Sequence, residues 1–237
     1  MSAHDPLSRR DFVLSAGLAA GIVSWNGFST VQAETPKERP APDAVLKKLL
    51  EGNQRFVDGK LTHPGRTPQD FLALSEGQAP PAIVITCADS RVAPEIIFDQ
   101  GIGDLFVIRV AGNIVANAGP LVKGSIEFAV AVLGARLILI MGHSQCGAVK
   151  AAIEHIEAND ALPGSIGQLI DPIRPAVRSV IGQPGDKLEN VTRANVLAGV
   201  KALETLPPIL SKAVSDGELK IVGGTYILNT GKVELYS

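Results

Sequence analysis

Apolar residues occur along this chain in two patterns that alternate over most of its length. In the first pattern they form short, nearly uninterrupted runs, which are typical of strands buried on both faces of a sheet. Four such runs occur, at residues 82–86, 105–110, 136–141 and 219–223. In the second pattern they recur every three or four positions, which predicts helices with one buried face. The alternation predicts an α/β fold in which helices flank a mostly parallel central β-sheet.

The predicted helices occupy most of the sequence outside these runs. Residues 42–60 form an amphipathic segment. Its candidate core residues are Val45, Leu49, Leu50 and Phe56. Thr67 followed by Pro68 and Asp70 is typical of a helix start, and we expect that helix to extend to about residue 75. Further helices or helical turns are expected at residues 94–99, 121–133, 144–157 and, with breaks near 182–185, at residues 163–206.

The C-terminal end of the chain predicts a hairpin. Residues 226–230 and 232–236 read as strands and flank the turn-forming pair Thr230-Gly231. A strand that turns back in this way runs antiparallel to its neighbour. We therefore expect the sheet to end in a C-terminal antiparallel edge strand.

Composition and charge narrow the class of protein. The chain has 237 residues, of which 46% are hydrophobic, and this is enough for one globular domain whose core needs no disulfide. The formal net charge is −2 and the body of the sequence has no cluster of Lys and Arg, so nucleic acid and anionic membranes are not expected partners. No apolar stretch reaches the ~18 residues of a transmembrane helix.

The N-terminal segment differs from the rest of the chain and predicts a signal peptide. Arg9 and Arg10 are followed by an apolar run at residues 12–23 and by small residues at 31–33. The segment resembles a twin-arginine (Tat) signal, which implies export by the Tat translocation machinery, with the periplasm as the expected destination. A membrane anchor that stays attached is the alternative. The predicted organisation is a signal peptide at residues 1–33, a polar linker at residues 34–41 and a domain at residues 42–237.

Metal-binding and charged side chains follow the first and third predicted strands, at the strand ends where parallel sheets bind ligands. Cys87, Asp89 and Arg91 follow the first strand. His143 and Cys146 follow the third, and the sequence contains two cysteines in all. Two thiolates and an imidazole match the preferences of zinc, and three protein ligands leave one coordination position for catalysis. We predict that Cys87, His143 and Cys146 bind one zinc ion.

Asp89 and Arg91 could act on a zinc-bound water as a pair. Zinc lowers the pKa of that water to about 7, and the resulting hydroxide needs an acceptor that orients its remaining proton. The carboxylate can accept this hydrogen bond, while the arginine holds the carboxylate in place and ionised. The alternative for these two residues is a surface ion pair that contributes little to stability.

A disulfide between Cys87 and Cys146 is the main alternative to the metal site, because an exported protein reaches an oxidising compartment. A buried pair of structural thiols is a further alternative. A disulfide alone does not explain why His143, Asp89 and Arg91 lie beside the cysteines in the sequence. The combination of these motifs therefore favours zinc.

These motifs resemble those of the β-class carbonic anhydrases. Cys87-Ala-Asp89-Ser-Arg91 is similar to the family's C-x-D-S-R motif, and the segment from Gly142 to Gly147 is similar to its second zinc motif. Three further segments match the family. Residues 51–56 resemble its N-terminal helix, and residues 108–113 resemble the segment between the zinc motifs. Residues 226–233 resemble its closing strands. The resemblance covers about residues 42–237.

The resemblance implies reversible hydration of CO2 to bicarbonate and a proton by attack of zinc-bound hydroxide. It makes Cys87, His143 and Cys146 the zinc ligands. It makes Asp89 and Arg91 the catalytic pair. The residues that it implies line the substrate pocket are Gln78, Phe106, Phe128 and Gly147. Both phenylalanines also fit as plain core residues. Family members are dimers or larger, so the resemblance implies a homodimer or a higher homo-oligomer.

Two alternatives keep the metal site but change the function. One is hydrolysis of CS2 or COS, as in some relatives, and the other is a non-catalytic exported zinc-binding protein. A thiol–disulfide protein is disfavoured because the sequence lacks a C-x-x-C motif. In some bacterial members the counterpart of Asp89 moves onto the zinc, and those members carry Trp and Gly where this chain has Val84 and Thr86. The resemblance therefore favours a site that stays open.

Overall fold

The computed structural model describes residues 39–236. The predicted signal peptide and most of the predicted linker lie outside the described residues, so they stay predictions. None of the helices between residues 39 and 236 combines the length and the apolar character needed to cross a membrane.

A five-stranded sheet forms the centre of the domain, in the order β2-β1-β3-β4-β5. β1 (Ala82–Thr86) lies between β2 (Leu105–Arg109) and β3 (Leu137–His143), and it runs parallel to both. β4 (Lys220–Tyr226) is parallel to β3, and β5 (Val233–Leu235) is antiparallel to β4. The predicted α/β fold, with a mostly parallel sheet and an antiparallel C-terminal edge strand, is confirmed.

Helices flank this sheet, and several of them begin with a proline at the first helical position, where its missing N–H costs nothing. The α-helices are α1 (Pro42–Val57), α2 (Pro94–Ile97), α3 (Pro120–Ala131), α4 (Gly147–Ala158), α5 (Ile166–Ile170), α6 (Arg174–Ser179), α7 (Lys187–Glu204) and α8 (Ile209–Ser215). Short 3-10 helices are present at Pro68–Leu74, Ala111–Asn113 and Asp171–Ile173.

The core lies on both faces of β1 and β3, in which every residue is buried. On one face, residues such as Ile83 and Ile138 pack with apolar side chains of α3, α7 and α8. On the other face, Val84 and its neighbours pack with Val45 and Leu49 of α1, as the amphipathic pattern of that helix predicts. Because these strands are buried on two sides, their sequences read as continuous apolar runs.

Two N-terminal helices differ from their predicted form. α1 ends at Val57 instead of residue 60, because the chain turns at Gly59, whose φ of 66° is in the left-handed region. The predicted helix after Thr67 is a 3-10 helix. Its start is nevertheless the predicted one, because Thr67 and Asp70 form a reciprocal capping box.

The predicted strand at residues 226–230 is wrong beyond Tyr226. β4 runs up to Tyr226 because it pairs with β3 along its whole length, as far as the pair of His143 with Tyr226. The following residues form the turn, in which the Gly231 N–H donates to the carbonyl of Ile227. The strand after this turn returns antiparallel, as predicted.

The segment after β3 also differs from its predicted form. β3 extends two residues further than predicted, to His143, and α4 begins at Gly147 instead of near Ser144. Gln145 has a φ of 55°, and this left-handed conformation cannot continue into a helix. His143 is therefore on the strand, whereas Cys146 is the N-cap residue of α4.

Asn53 of α1 connects the N-terminal helix to the C-terminal hairpin. Its buried Nδ2 donates to the carbonyl oxygens of Ile97, at 3.2 Å, and Gly231, at 2.8 Å. Its Oδ1 accepts a hydrogen bond of 2.8 Å from the backbone N–H of Val233. One side chain thus satisfies three backbone groups from two distant parts of the chain.

We expect Asn53→Ala to lower the free energy of unfolding by about 2–4 kcal/mol, because it leaves three backbone groups without their partner. Gln54→Ala is the matched control, because within residues 39–236 the exposed Gln54 amide hydrogen-bonds only the nearby Asp58 carboxylate. Its loss should change stability by no more than about 0.5 kcal/mol. Urea denaturation followed by circular dichroism measures both. Equal effects of the two variants would contradict the role of Asn53.

Candidate metal centre

Two adjacent strand ends and one helix start bring three metal-binding side chains together. Thr86 of β1 pairs with Met141 of β3, so Cys87, which follows β1, comes out beside His143 at the end of β3. The turn after His143 brings back Cys146. The imidazole and the two sulfurs all lie within 4.8 Å of one another, and all three residues are buried. The structure therefore brings together the three predicted ligands.

Backbone groups hold the turn that carries His143 and Cys146. The backbone N–H of Ser144 donates to the carbonyl of Tyr226 at 2.9 Å, and its hydroxyl accepts a hydrogen bond from the N–H of Leu228 at 3.0 Å. Cys146 is the N-cap residue of α4 and precedes its first turn, where backbone N–H groups lack partners within the helix. The β4–β5 turn and the helix start thus position the second motif.

A backbone N–H also supports the sulfur of Cys87. The donor is the N–H of Gly112, in the 3-10 helix after β2, and its distance to Sγ is 3.2 Å. Gly112 has a φ of 74°, and a Cβ there would lie 2.9 Å from Cδ1 of Ile173. Only glycine therefore fits this position without strain. The sequence of residues 108–113 does not by itself predict this contact.

The His143 ring is oriented with one nitrogen toward the cysteines. Its Nδ1–H donates to the backbone carbonyl of Ser144 at 2.9 Å, and this fixes the tautomer in which Nε2 carries a lone pair. Nε2 is fully buried and has no hydrogen-bond partner within residues 39–236. An unpaired polar atom in such a place is costly, whereas a metal ion would satisfy it.

The pKa values of the two cysteine thiols depend on each other because their sulfurs are only 4.0 Å apart. The Cys146 thiol donates a hydrogen bond to the Cys87 sulfur, and this lowers the pKa of Cys87. The same hydrogen bond raises the pKa of Cys146, and burial and the negative charge on Cys87 raise it further. A divalent cation would relieve this conflict, because it stabilises both thiolates at once. The donor set of two sulfurs and one imidazole nitrogen fits zinc.

Asp89 lies beside this cluster and is held by Arg91. The guanidinium donates through Nε to Oδ1 at 2.9 Å and through Nη2 to Oδ2 at 2.7 Å. These bonds hold the pKa of the Asp89 carboxyl well below its usual range, so it stays ionised. Its Oδ2 lies 3.8 Å from His143 Nε2. The carboxylate is therefore a fixed hydrogen-bond acceptor at the edge of the cluster.

Arg109, the last residue of β2, fixes the backbone of the loop that carries Cys87 and Asp89. Its Nε donates to the carbonyl of Cys87 at 3.1 Å, and its Nη2 donates to the carbonyl of Asp89 at 2.6 Å. The motifs in the sequence do not predict this role of Arg109. The available signal was the position of an arginine at the end of a strand that neighbours β1.

The four residues predicted to line a substrate pocket occupy different places. Gln78 is exposed in the segment before β1, and Phe106 is half-buried on β2 against the core. Phe128 is 47% exposed on α3. Gly147 is the first residue of α4. Apart from its chain neighbours and its own helix backbone, no atom of residues 39–236 lies within 4 Å of the place where its Cβ would be. Their part in substrate binding stays a prediction.

Comparisons with known proteins bear on this arrangement. A family model described as carbonic anhydrase matches residues 82–233. The protein named carbonic anhydrase 2 from Mycobacterium tuberculosis is 40% identical over 194 residues, which span 82% of this chain and 92% of that protein. The solved β-carbonic anhydrase CcaA shares 31% identity with a TM-score of 0.64, covering 81% of this chain and 95% of that one. A structure of tetrameric β-carbonic anhydrases from Sordaria macrospora shares 26% identity with a TM-score of 0.66, covering 82% and 98%.

Proposed function

This chain belongs to the β-carbonic anhydrase family, and on that basis we propose that it catalyses the zinc-dependent, reversible hydration of CO2 to bicarbonate and a proton. Carbonic anhydrase is the enzyme class shared by its named relatives, which match most of the chain. Zinc as the metal, CO2 as the substrate and the roles of individual residues are the proposed parts.

The observation that carries the proposal is the buried, unpartnered Nε2 of His143 beside two sulfurs. Cys87, His143 and Cys146 would hold the zinc ion, and three protein ligands leave one position for the reaction. When bound, zinc supplies a Lewis acid that makes water a nucleophile near neutral pH. The ligands themselves are fixed by the strand ends and need no rearrangement to meet.

Asp89 would orient the nucleophile, because an ionised carboxylate only accepts hydrogen bonds. By accepting a hydrogen bond from the attacking group, the carboxylate would point that group's lone pair at the carbon of CO2. Arg91 would keep the carboxylate ionised and still through its two hydrogen bonds. Because both carboxylate oxygens are bonded to Arg91, we further propose that Asp89 does not become a fourth ligand and that the site stays open.

The remaining pocket residues have proposed roles that suit a small nonpolar gas. Phe106 and Phe128 would provide apolar wall, and Gln78 would donate a hydrogen bond to an oxygen of CO2 or bicarbonate. Gly147 would leave room at the start of α4, because no side chain occupies that space.

A second copy of the chain is the proposed partner of the β2 edge. No strand pairs with the outer side of β2 in the part of the chain that the structure describes. α3, which packs against β2, exposes Leu121 (85%) and Phe128 (47%) on one face, and the exposed Val132 (50%) directly follows the helix. An open strand edge beside exposed apolar side chains favours self-association, and the Sordaria macrospora relatives are described as tetrameric. We propose a homodimer or a higher homo-oligomer.

Export through the Tat machinery to the periplasm is a further proposal that depends on the sequence of residues 1–33. Arg9 and Arg10 before a short apolar run support it. A route that carries folded proteins would also allow the metal to be bound before the cysteines meet an oxidising compartment.

Asp89→Asn should lower kcat/KM for CO2 hydration by about 10²-fold or more, because an amide carries no charge and accepts hydrogen bonds only through its oxygen. Zinc content should remain that of the wild type, because Asp89 is outside the ligand set. Stopped-flow hydration and elemental analysis measure these, and Asp171→Asn, which breaks an exposed pair with Arg174, is the control. Full activity in Asp89→Asn would refute the residue's role, whereas zinc-loaded wild type without CO2 hydration would refute the function.

The double variant Leu121→Asp with Val132→Asp should reduce the oligomer to a smaller species, because charges would replace apolar contacts at the proposed interface. Light scattering after size exclusion measures the mass. Ile166→Asp with Ile181→Asp changes two exposed apolar residues elsewhere and should leave the mass unchanged. An unchanged mass in the first variant would place the interface on another surface.

The double variant Arg9→Lys with Arg10→Lys should keep the protein in the cytoplasm, because the twin-arginine pair is the predicted recognition element. Fractionation of the expressing cells followed by immunoblotting measures its location. The control is Lys47→Arg with Lys48→Arg, which alters neighbouring basic residues inside the domain and should leave the location unaltered. Normal export of the first double variant would reject the Tat route.

A further inference from the structure

The two ligand sulfurs are close enough to react with each other. Cys87 and Cys146 are free, buried and the only cysteines of the chain, and their Sγ atoms lie 4.0 Å apart. A disulfide requires about 2.05 Å, so the sulfurs would need to approach by only ~2 Å. Each cysteine lies outside regular structure, one directly after β1 and the other directly before α4.

We propose that Cys87 and Cys146 form an oxidation site as well as a metal site: without metal, hydrogen peroxide joins them in an intramolecular disulfide, and metal and disulfide exclude each other. The inference rests on the metal site proposed above but not on the reaction proposed there. The disulfide would take two of the three ligands and leave His143 alone, so zinc could return only after reduction.

The geometry assigns different parts to the two sulfurs. Cys87 is 4% exposed and Cys146 is completely buried, so a small oxidant reaches Cys87 first. The Cys87 sulfur attacks one peroxide oxygen, the O–O bond breaks, and sulfenic acid and water result. The Cys146 sulfur then attacks the sulfenic sulfur, the S–O bond breaks, and a second water leaves. Two thiols lose two electrons in total, and one peroxide is reduced to two waters.

The surroundings restrict this chemistry to a small oxidant and to one partner. Apolar side chains such as Ile114, Val149 and Ile173 pack around both cysteines. A bulky disulfide or a second chain cannot reach the sulfurs without opening this cluster. Bound metal would block the reaction, because a thiolate that donates its electron pair to zinc is a weaker nucleophile and cannot move toward its partner.

The decisive experiment compares full-length protein loaded with zinc and the same protein stripped by a chelator. Both are treated with hydrogen peroxide, quenched in acid, alkylated without reduction and weighed by intact mass spectrometry. The zinc-loaded chain should keep two alkylatable thiols. The stripped chain should lose both together, with a loss of two hydrogens in mass and no dimer. After reduction, it should regain two thiols and bind zinc again.

The role of the fold is tested by repeating the treatment in denaturant. The stripped, folded chain should pair faster than the denatured chain, because the fold holds the sulfurs 4.0 Å apart. The proposal is wrong if the two sulfurs pair no faster in the folded, stripped protein than in denaturant. It is also wrong if the stripped protein keeps both thiols or forms a disulfide with a second chain. Oxidation of the zinc-loaded protein at the same rate as the stripped protein would refute it as well.

Two variants test the order of attack. Cys146→Ser should give a sulfenic acid at Cys87 that dimedone traps, because no second thiol resolves it. Cys87→Ser should give little or no dimedone adduct. Circular dichroism tests whether each variant is folded. If a variant is not folded, the peroxide treatment of zinc-loaded and stripped wild-type protein decides the proposal. None of these experiments measures CO2 hydration. If Cys87 and Cys146 do not form the disulfide, the proposed carbonic anhydrase activity is therefore unaffected, and if the protein does not hydrate CO2, the proposed oxidation site is unaffected.

Discussion

The candidate metal centre depends on the pairing of β1 with β3. Their parallel register places Cys87, the residue after β1, beside His143 at the end of β3. The strand pairing alone brings the two side chains together, and no contact between them is needed. The register is fixed by burial on both faces of the strands, where each Ile or Leu contributes about 1.5–3 kcal/mol. A single hydrogen bond contributes about 1 kcal/mol, so the fold imposes the geometry on the ligands and not the reverse.

Smaller interactions then adjust each ligand. The Gly112 N–H supports one sulfur, the start of α4 supports the other, and the Ser144 carbonyl orients the imidazole. Arg109 holds the backbone of the first loop. These supports come from the ends of β2 and β3, the strands on either side of β1, so the centre depends on the carboxyl ends of all three strands. A change in any of these loops would be transmitted to the ligands through the backbone.

Much of this arrangement could be predicted from the sequence because the signals are local. The strands are short apolar runs between polar segments, and the ligands directly follow two of them. The sequence does not show that β3 continues to His143 or that Gln145 takes a left-handed conformation, because both depend on neighbouring strands and on the turn that follows. The contacts of Gly112 and Arg109 were missed for a similar reason: the direction in which a backbone N–H or a long side chain points is set by the tertiary structure.

The bonds of Asn53 have a consequence for the timing of folding. They join α1 to backbone groups that follow Asn53 by 178 and 180 positions along the chain. α1 therefore cannot reach its final state on the ribosome until residues 231–233 have left the exit tunnel. We expect the domain to close late in its synthesis, because α1 lacks these partners while most of the domain is being made.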